Sequence, residues 1–425
     1  MGIRSLTRLL KPYQTKFCVC EQLKTIVVDG PGLIHALVPL FKKDILNGKH
    51  QSITNAIDVF IHAIRSVGVQ HVKVWFDGGM EVLKKKTTRM RREELYRTMR
   101  TCQYRKEDYI IGGLRSPWLF YWVIHRLVYH KCQCQFAPKE ADACCIQCAL
   151  EMDGVVVGDD SDFYLGEAPY VNIGDWLTVQ ANGEIRAKEK PPVYAMKRCL
   201  EVLEVDLPVW KSIPYFLGDD YNEGILHYSV ASLDKLIAII KSKSKVYAPK
   251  VPQRPAHTMP CPYFWQCKLN DVMQHKCLYL PSVYDDLTVE KDAWFASMWI
   301  RRQLYVNMPG VDRVVEYVRK KCALKGVAVR AEHIPKHQHV LDQVCRQASF
   351  EKIGALFLKS CVKDCASRER AWAYWQTFFI SLTWYMHYNH LKVPDEWWDW
   401  SRLENKHICD IQRMSLCDDG WTTVS

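Results

Sequence analysis

Three short runs in the first half of the chain are apolar without alternation, and each ends on an acid. Residues 25–30, TIVVDG, reach Asp29; residues 72–79, VKVWFDGG, reach Asp77; residues 154–160, GVVVGDD, reach Asp160. Unbroken β-branched runs mark strands covered on both faces, as in a parallel sheet between helices. Segments of helical spacing separate them, over 52–67, 84–105, 117–130 and 139–151. The alternation predicts an α/β fold with an open, mainly parallel sheet flanked by helices. Parallel strands share a direction, so their carboxyl ends form one rim, and ligands bind there. Asp29, Asp77 and Asp160 are therefore expected to converge.

More acids join this rim. APKEADACC, residues 137–145, places Glu140 and Asp142 just after Pro138, which suits the first turn of a helix. DDSDFYL puts Asp159 and Asp162 beside Asp160, and IPYFLGDDYNEG puts Asp219 and Asp220 before a turn. Any one of these has an ordinary reading, because acids complement the helix dipole and aspartates cap helices. All of them together repel one another and call for a counter-charge. Oxygen-only ligands point to Mg²⁺, or Mn²⁺, rather than zinc. Two such ions about 4 Å apart suit phosphodiester hydrolysis. A basic counterpart follows Asp77: residues 84–106 hold ten Lys and Arg against two Glu. Read as a helix, this segment places Lys84, Thr88, Arg91 and Leu95 near one face. A solvated face or a nuclear localisation signal is the plain reading of such a run. Its place beside the acids favours phosphate binding.

From about residue 229 the pattern changes. SLDKLIAIIKSKSK reads as a helix, and residues 248–262 then carry five prolines. Helix-like segments follow over 291–306, 311–324, 340–360 and 367–390. The expected organisation is a nuclease-like domain over 1–235, a Pro-rich linker or surface crossing over 236–265, and a mostly α-helical region over 266–425. The 425 residues are 48% hydrophobic, as in an ordinary folded chain, and a formal charge of +11 favours a polyanionic partner. Eighteen cysteines with no apolar leader read as free thiols in an intracellular, non-secreted protein, nuclear rather than cytoplasmic. Cys132, Cys134, Cys145 and Cys148, and separately Cys261, Cys267, His275 and Cys277, are zinc candidates of irregular spacing. Residues 371–391 lack charge but are interrupted by polar groups, which suits a buried core helix better than a membrane span.

As an ordered set, MGIRSLTRLL, VVDG, WFDGG, KEADA, DDSDFYL and FLGDDY resemble the motifs of the flap-endonuclease/XPG superfamily of PIN-like nucleases. FDGGMEVLKKKTT and EADACC are most similar to its Asteroid branch, and the resemblance covers about residues 1–225. It implies that Asp29, Asp77, Glu140, Asp142, Asp160, Asp162 and Asp220 hold the metal, with Asp142 standing where flap endonucleases often have glutamate. It also implies that Lys84 and Arg91 are the catalytic cations, that Asp159 and Asp219 support the metal ligands, and that the chain start packs near the active site. Lys85, Lys86, Arg89 and Arg92 complete the nucleic-acid-binding segment. Two departures stand out: NEGILHYSVASLDKLI supplies one glycine, Gly224, where the family has a Gly-rich duplex-gripping turn, and no sliding-clamp motif is present.

The function expected is a Mg²⁺-dependent, structure-selective endonuclease acting on single-stranded or overhanging DNA in repair. RNA is the alternative substrate, since nothing reads the sugar. An inert nuclease-derived scaffold is the alternative class, and the complete acid set argues against it. No membrane partner is expected.

Overall fold

The structure, a computed structural model, describes residues 2–3, 5–37, 51–79, 84–105, 117–180, 184–219, 224–226, 230–243, 264–280, 292–321, 323–347 and 368–389. The chain divides into two compact units, the first within residues 1–40, 55–88 and 126–267, and the second within 41–54, 89–125 and 268–425.

The first unit is built on a seven-stranded sheet. Its strands are β1 (Cys18–Cys20), β2 (Thr25–Asp29), β3 (His71–Phe76), β4 (Gln133–Phe136), β5 (Val155–Gly158), β6 (Tyr170–Asn172) and, after the small β7–β8 hairpin (Leu177–Val179, Ile185–Ala187), β9 (Pro192–Tyr194). The order is β1-β9-β6-β5-β2-β3-β4. From β6 to β4 all neighbours run parallel, and β9 runs antiparallel to both β6 and β1. The three apolar runs are thus β2, β3 and β5, and the expected open, mainly parallel sheet is present. Ile26, Val27 and Val28 are buried, as are Val155, Val156 and Val157, because helices cover both faces. The helices Gln51–Ser66, Lys85–Arg105, Pro117–Tyr129 and Asp142–Glu151 match the four expected segments within two or three residues.

Topology selects where a ligand goes. The chain leaves β2 for β3 and β4 on one side, and leaves β5 for β6 on the other, while β2 and β5 are paired with each other. The strand order reverses between them, and the crevice beyond their carboxyl ends is the binding position of such a sheet. Asp29 ends β2, and Asp159 and Asp160 follow β5 directly.

The second unit holds a three-stranded sheet, β10 (Cys277–Tyr279), β11 (Arg313–Lys320) and β12 (Ala323–Arg330), with β10 parallel and β12 antiparallel to β11. Residues 311–324, read from sequence as a helix, are therefore mainly strand. The signal is legible in GVAVR, where Val327 and Val329 stand two apart, and in the β-branched content of RVVEYV, which together outweigh helical propensity. Helices Met298–Val306 and Arg368–Tyr388 pack together beside this sheet. Arg368–Tyr388 is the uncharged aromatic run, and it is core: Phe378, Phe379, Trp384 and Tyr385 are buried. Among the described residues no helix is long and apolar enough to cross a membrane.

Candidate metal centre

Backbone donors fix the acids individually. Asp29 is only 6% exposed, and one of its carboxylate oxygens accepts the N–H of Gly32 at 3.0 Å. A Cβ on Gly32 would lie 2.6 Å from Asp29 Oδ2 and 3.0 Å from the Asp159 nitrogen, so only glycine lets the end of β2 approach the turn after β5 this closely. Asp77, just past β3, accepts the Ala141 N–H at 3.0 Å and so ties its loop to the start of helix Asp142–Glu151. That helix packs against β2, β3 and β5, which brings Glu140 and Asp142 to the same rim. Asp160 caps the short helical turn Ser161–Leu165 by accepting the Asp162 N–H at 3.1 Å, and Asp162 is buried inside that turn.

Electrostatics shows that these acids share one field. Asp142 retains some solvent contact, yet burial of its carboxyl, followed by the charges of Asp160, Asp29, Asp162 and Glu140, holds its pKa well above the usual carboxylate range. Beneath them, burial and then Asp29 and Asp142 push the fully buried Cys145 thiol up. The seven expected ligands thus include Asp142 and four acids whose charges act on it, with Asp77 joined through Ala141. Asp220 lies outside the described residues.

Lys84 brings a positive charge to the rim. Its Nζ lies 2.7 Å from Glu140 Oε2, with the lysine side chain 9% exposed and the glutamate 32%. Lys85 and Lys86 follow it at the exposed start of the helix. Arg89, Arg91 and Arg92 belong to the second unit. There Arg89 pairs with Glu93 at 3.0 Å and Arg91 is exposed, while Arg92 donates to the Leu280 carbonyl and lies over the Tyr279 ring. Burial lowers the Arg92 pKa, and its bond to the Leu280 carbonyl helps seat its helix.

Two features were not foreseen residue by residue. His35 Nδ1 approaches Asp159 at 3.3 Å and holds that carboxyl below its usual range. Its signal was its place six residues after Asp29, on the helix that leaves β2. The start of the chain is also pinned to the rim, as the resemblance implied. Ser161 Oγ donates to the Ile3 carbonyl at 3.1 Å, and a Cβ on Gly2 would fall 1.8 Å from Asp160 Oδ1.

The donor set fits a hard divalent cation, since the acids clustered at the switch point are all oxygen donors and mutually raise the cost of ionisation. Among the described residues no three His, Cys, Asp or Glu side chains are arranged to hold an ion as they stand. The same statement covers the zinc candidates: Cys132, Cys134, Cys145, Cys148, Cys267 and Cys277 are free thiols, and Cys261 lies outside the described residues.

No protein-family model matches the chain, and no curated protein matches it in sequence. Among solved structures it is similar to the catalytic core of Rad2 in complex with DNA substrate, at 19% identity and a TM-score of 0.40, over 57% of this chain and 68% of that one. It is similar also to flap endonuclease-1 from Methanococcus jannaschii, at 17% identity and a TM-score of 0.36, over 57% and 77% of the two chains. A third is human GEN1 in complex with Holliday junction DNA, at 15% identity and a TM-score of 0.33, over 59% of this chain and 56% of that one.

Proposed function

We propose that the chain is a divalent-metal-dependent nuclease of the flap-endonuclease/XPG kind, most similar to the Asteroid branch, and that it hydrolyses phosphodiester bonds in single-stranded or overhanging DNA. The observation that carries this reading is the gathering of acids at the switch point, where burial of the Asp142 carboxyl, and then the charges of Asp160, Asp29, Asp162 and Glu140, raise Asp142. A structural role has no use for such a group, because each acid makes folding harder without a counter-charge.

Asp29, Asp77, Glu140, Asp142, Asp160, Asp162 and Asp220 would hold the metal, with Mg²⁺ favoured over Mn²⁺. Bound there, the metal supplies charge neutralisation and an acidified water for in-line hydrolysis. The protein's own groups do the rest. Lys84, held at 2.7 Å by Glu140, stands ready to trade that carboxylate for a scissile phosphate oxygen. Arg91 is assigned the companion role on the sequence resemblance alone. Asp159 and His35 brace the turn that carries Asp160, and the Gly2–Ile3 segment braces it from the other side.

Substrate shape follows from the segment after Asp219. Leu226 and Val230 are buried and Ile225 is partly buried, all packed in the core of the first unit. Bulky core residues there leave no glycine-rich backbone to approach duplex phosphates. Cleavage should thus need an accessible single strand and gain less than about tenfold from an adjoining downstream duplex. The test compares labelled single-stranded, overhanging, double-flap and duplex DNA, and the matching RNA strands, with Mg²⁺ and with chelator. Cutting of single-stranded DNA only when Mg²⁺ is present is the expected result. A double flap cut hundreds of times faster than the bare strand would overturn the substrate assignment, and cleavage of RNA alone would overturn the choice of DNA.

A further inference from the structure

The turn that carries Asp159, Asp160 and Asp162 is spanned by a side chain outside it. Tyr170 lies on β6, opposite Val156 of β5, and is 1% exposed. Its hydroxyl donates to the Gly158 carbonyl at 3.0 Å, one residue before the acids begin. Its ring stacks on Phe163 at 5.4 Å and 28°, and meets Tyr164 edge-on at 4.9 Å and 86°. These are the two residues that follow Asp162. One side chain thus holds both ends of the turn, the hydroxyl before the acids and the ring after them.

The partners fix which group donates. Asn172 caps the short helix Ile173–Trp176 with its Oδ1, which accepts the Gly174 N–H at 2.9 Å. Its Nδ2 is then the end that faces Tyr170, and it donates to the hydroxyl oxygen at 3.3 Å. Tyr170 is left with its own O–H to give, and the Gly158 carbonyl can only accept it. Asn172, Tyr170 and Gly158 form one buried chain of hydrogen bonds. After His35, Asn172 also helps hold the Asp159 carboxyl below its usual range. Gly158 transmits any displacement directly. A Cβ there would lie 2.9 Å from the Phe163 ring and 3.1 Å from Asp29 Cβ, so this backbone is packed against both the turn and the end of β2.

We infer that Tyr170 is a positioning residue for the metal centre: its hydroxyl and ring together fix the turn that presents Asp160 and Asp162 to the rim, and Asn172 fixes Tyr170 in its turn. The inference rests on the metal-dependent reading above. Packing alone would not single out the hydroxyl, because phenylalanine fills nearly the same space. Phenylalanine would, however, leave the Gly158 carbonyl and the Asn172 amide unpaired inside the core, free to pull the turn out of place. Groups that orient metal ligands from behind change metal affinity or activity by about 10–100-fold when removed. Tyr170 acts through the backbone and the rings beside the acids, which places it at the low end, about tenfold.

The experiment compares the full-length wild type with Tyr170→Phe, Tyr170→Leu, Asn172→Ala and Leu236→Val, the last a core change on helix Leu233–Lys243 of the same unit. It reads the Mn²⁺ dissociation constant from the free-ion EPR signal without DNA, the single-turnover rate on labelled single-stranded DNA, and the melting temperature in chelator. Tyr170→Phe should bind Mn²⁺ about tenfold more weakly and cut at least about tenfold more slowly, with the half-saturating DNA concentration within about twofold of wild type. Tyr170→Leu should lose at least as much metal affinity and melt lower than Tyr170→Phe, because it gives up the ring contacts as well. Asn172→Ala should weaken Mn²⁺ in the same direction, and adding it to Tyr170→Phe should cost little more, since both act through one chain. Leu236→Val should melt below wild type yet keep its Mn²⁺ affinity and rate, which separates positioning from stability. Wild-type uptake of Mn²⁺ with unchanged affinity in Tyr170→Phe overturns this inference alone, as does a loss of affinity in Leu236→Val equal to that in Tyr170→Phe. A wild type that takes up no Mn²⁺ contradicts the metal-dependent reading itself, and this inference falls with it.

Discussion

Replacing Lys84 by methionine keeps the chain length and apolar stem while removing a charge that pairs with Glu140. The 2.7 Å contact joins a nearly buried ammonium to a carboxylate one-third exposed. A hydrogen bond between charged groups contributes about 1.5–3 kcal/mol when shielded, and the glutamate's exposure places this one near the low end, about 1–2 kcal/mol. For a unit of this size that corresponds to a drop of about 2–8 °C in melting temperature. The drop should appear in chelator and shrink when Mg²⁺ is added, because the ion then supplies the counter-charge for Glu140. Turnover should fall by about 10² to 10³, with substrate affinity little changed, if Lys84 acts on the transition state. Differential scanning fluorimetry with and without Mg²⁺, alongside single-turnover cleavage, reads both quantities. Lys84→Met melting with wild type in chelator, or losing the same amount with and without metal, would refute the reasoning.

Three further outcomes follow from other contacts. Asp142→Asn should raise the melting temperature of the metal-free protein at neutral pH and abolish its response to Mg²⁺. A raised folded pKa means that the stability Asp142 contributes is present below the ordinary carboxylate range and is lost as pH rises through the raised value, so the gap between variant and wild type should close on acidification. Gly2→Ala forces a Cβ to within 1.8 Å of Asp160 Oδ1 at a backbone φ of +79°. It should cut the cleavage rate at least about tenfold by shifting Asp160, while circular dichroism stays that of wild type. Arg301→Ala strips Glu316 of its charge partner at zero exposure and should destabilise the second unit by about 3–5 kcal/mol in urea unfolding. Arg301→Met/Glu316→Leu should recover most of that loss.

The strands that carry the acids were legible because burial on both faces leaves an unbroken apolar run, and β2, β3 and β5 fell where TIVVD, VKVWF and VVVG stand. The convergence of Asp29 and Asp160 followed from shared strand direction alone. Strands β1, β6 and β9 were not legible, since three-residue strands give no period to read. The β11–β12 ribbon was misread because RVVEYVRK also fits a helical face, and only the GVAV run that pairs with it shows the period of two. Long-range seats were beyond reach as well. Nothing local in RREE says that Arg92 will seek the Leu280 carbonyl or that Glu93 will accept the Leu324 N–H. The Ser161–Ile3 latch spans most of a domain in sequence and could be anticipated only through the resemblance.

The most direct test of the central claim is the rate at which purified protein cuts a 5′-labelled single-stranded DNA as Mg²⁺ is titrated, for wild type and Asp160→Ala together. Asp160 accepts one backbone N–H within its own turn, so its loss should leave the fold intact and the melting temperature near or above that of the metal-free wild type. The account predicts saturable, Mg²⁺-dependent cleavage by wild type and none above background by a folded Asp160→Ala. Cleavage by Asp160→Ala at the wild-type rate, or wild-type cleavage that persists in chelator, would contradict it.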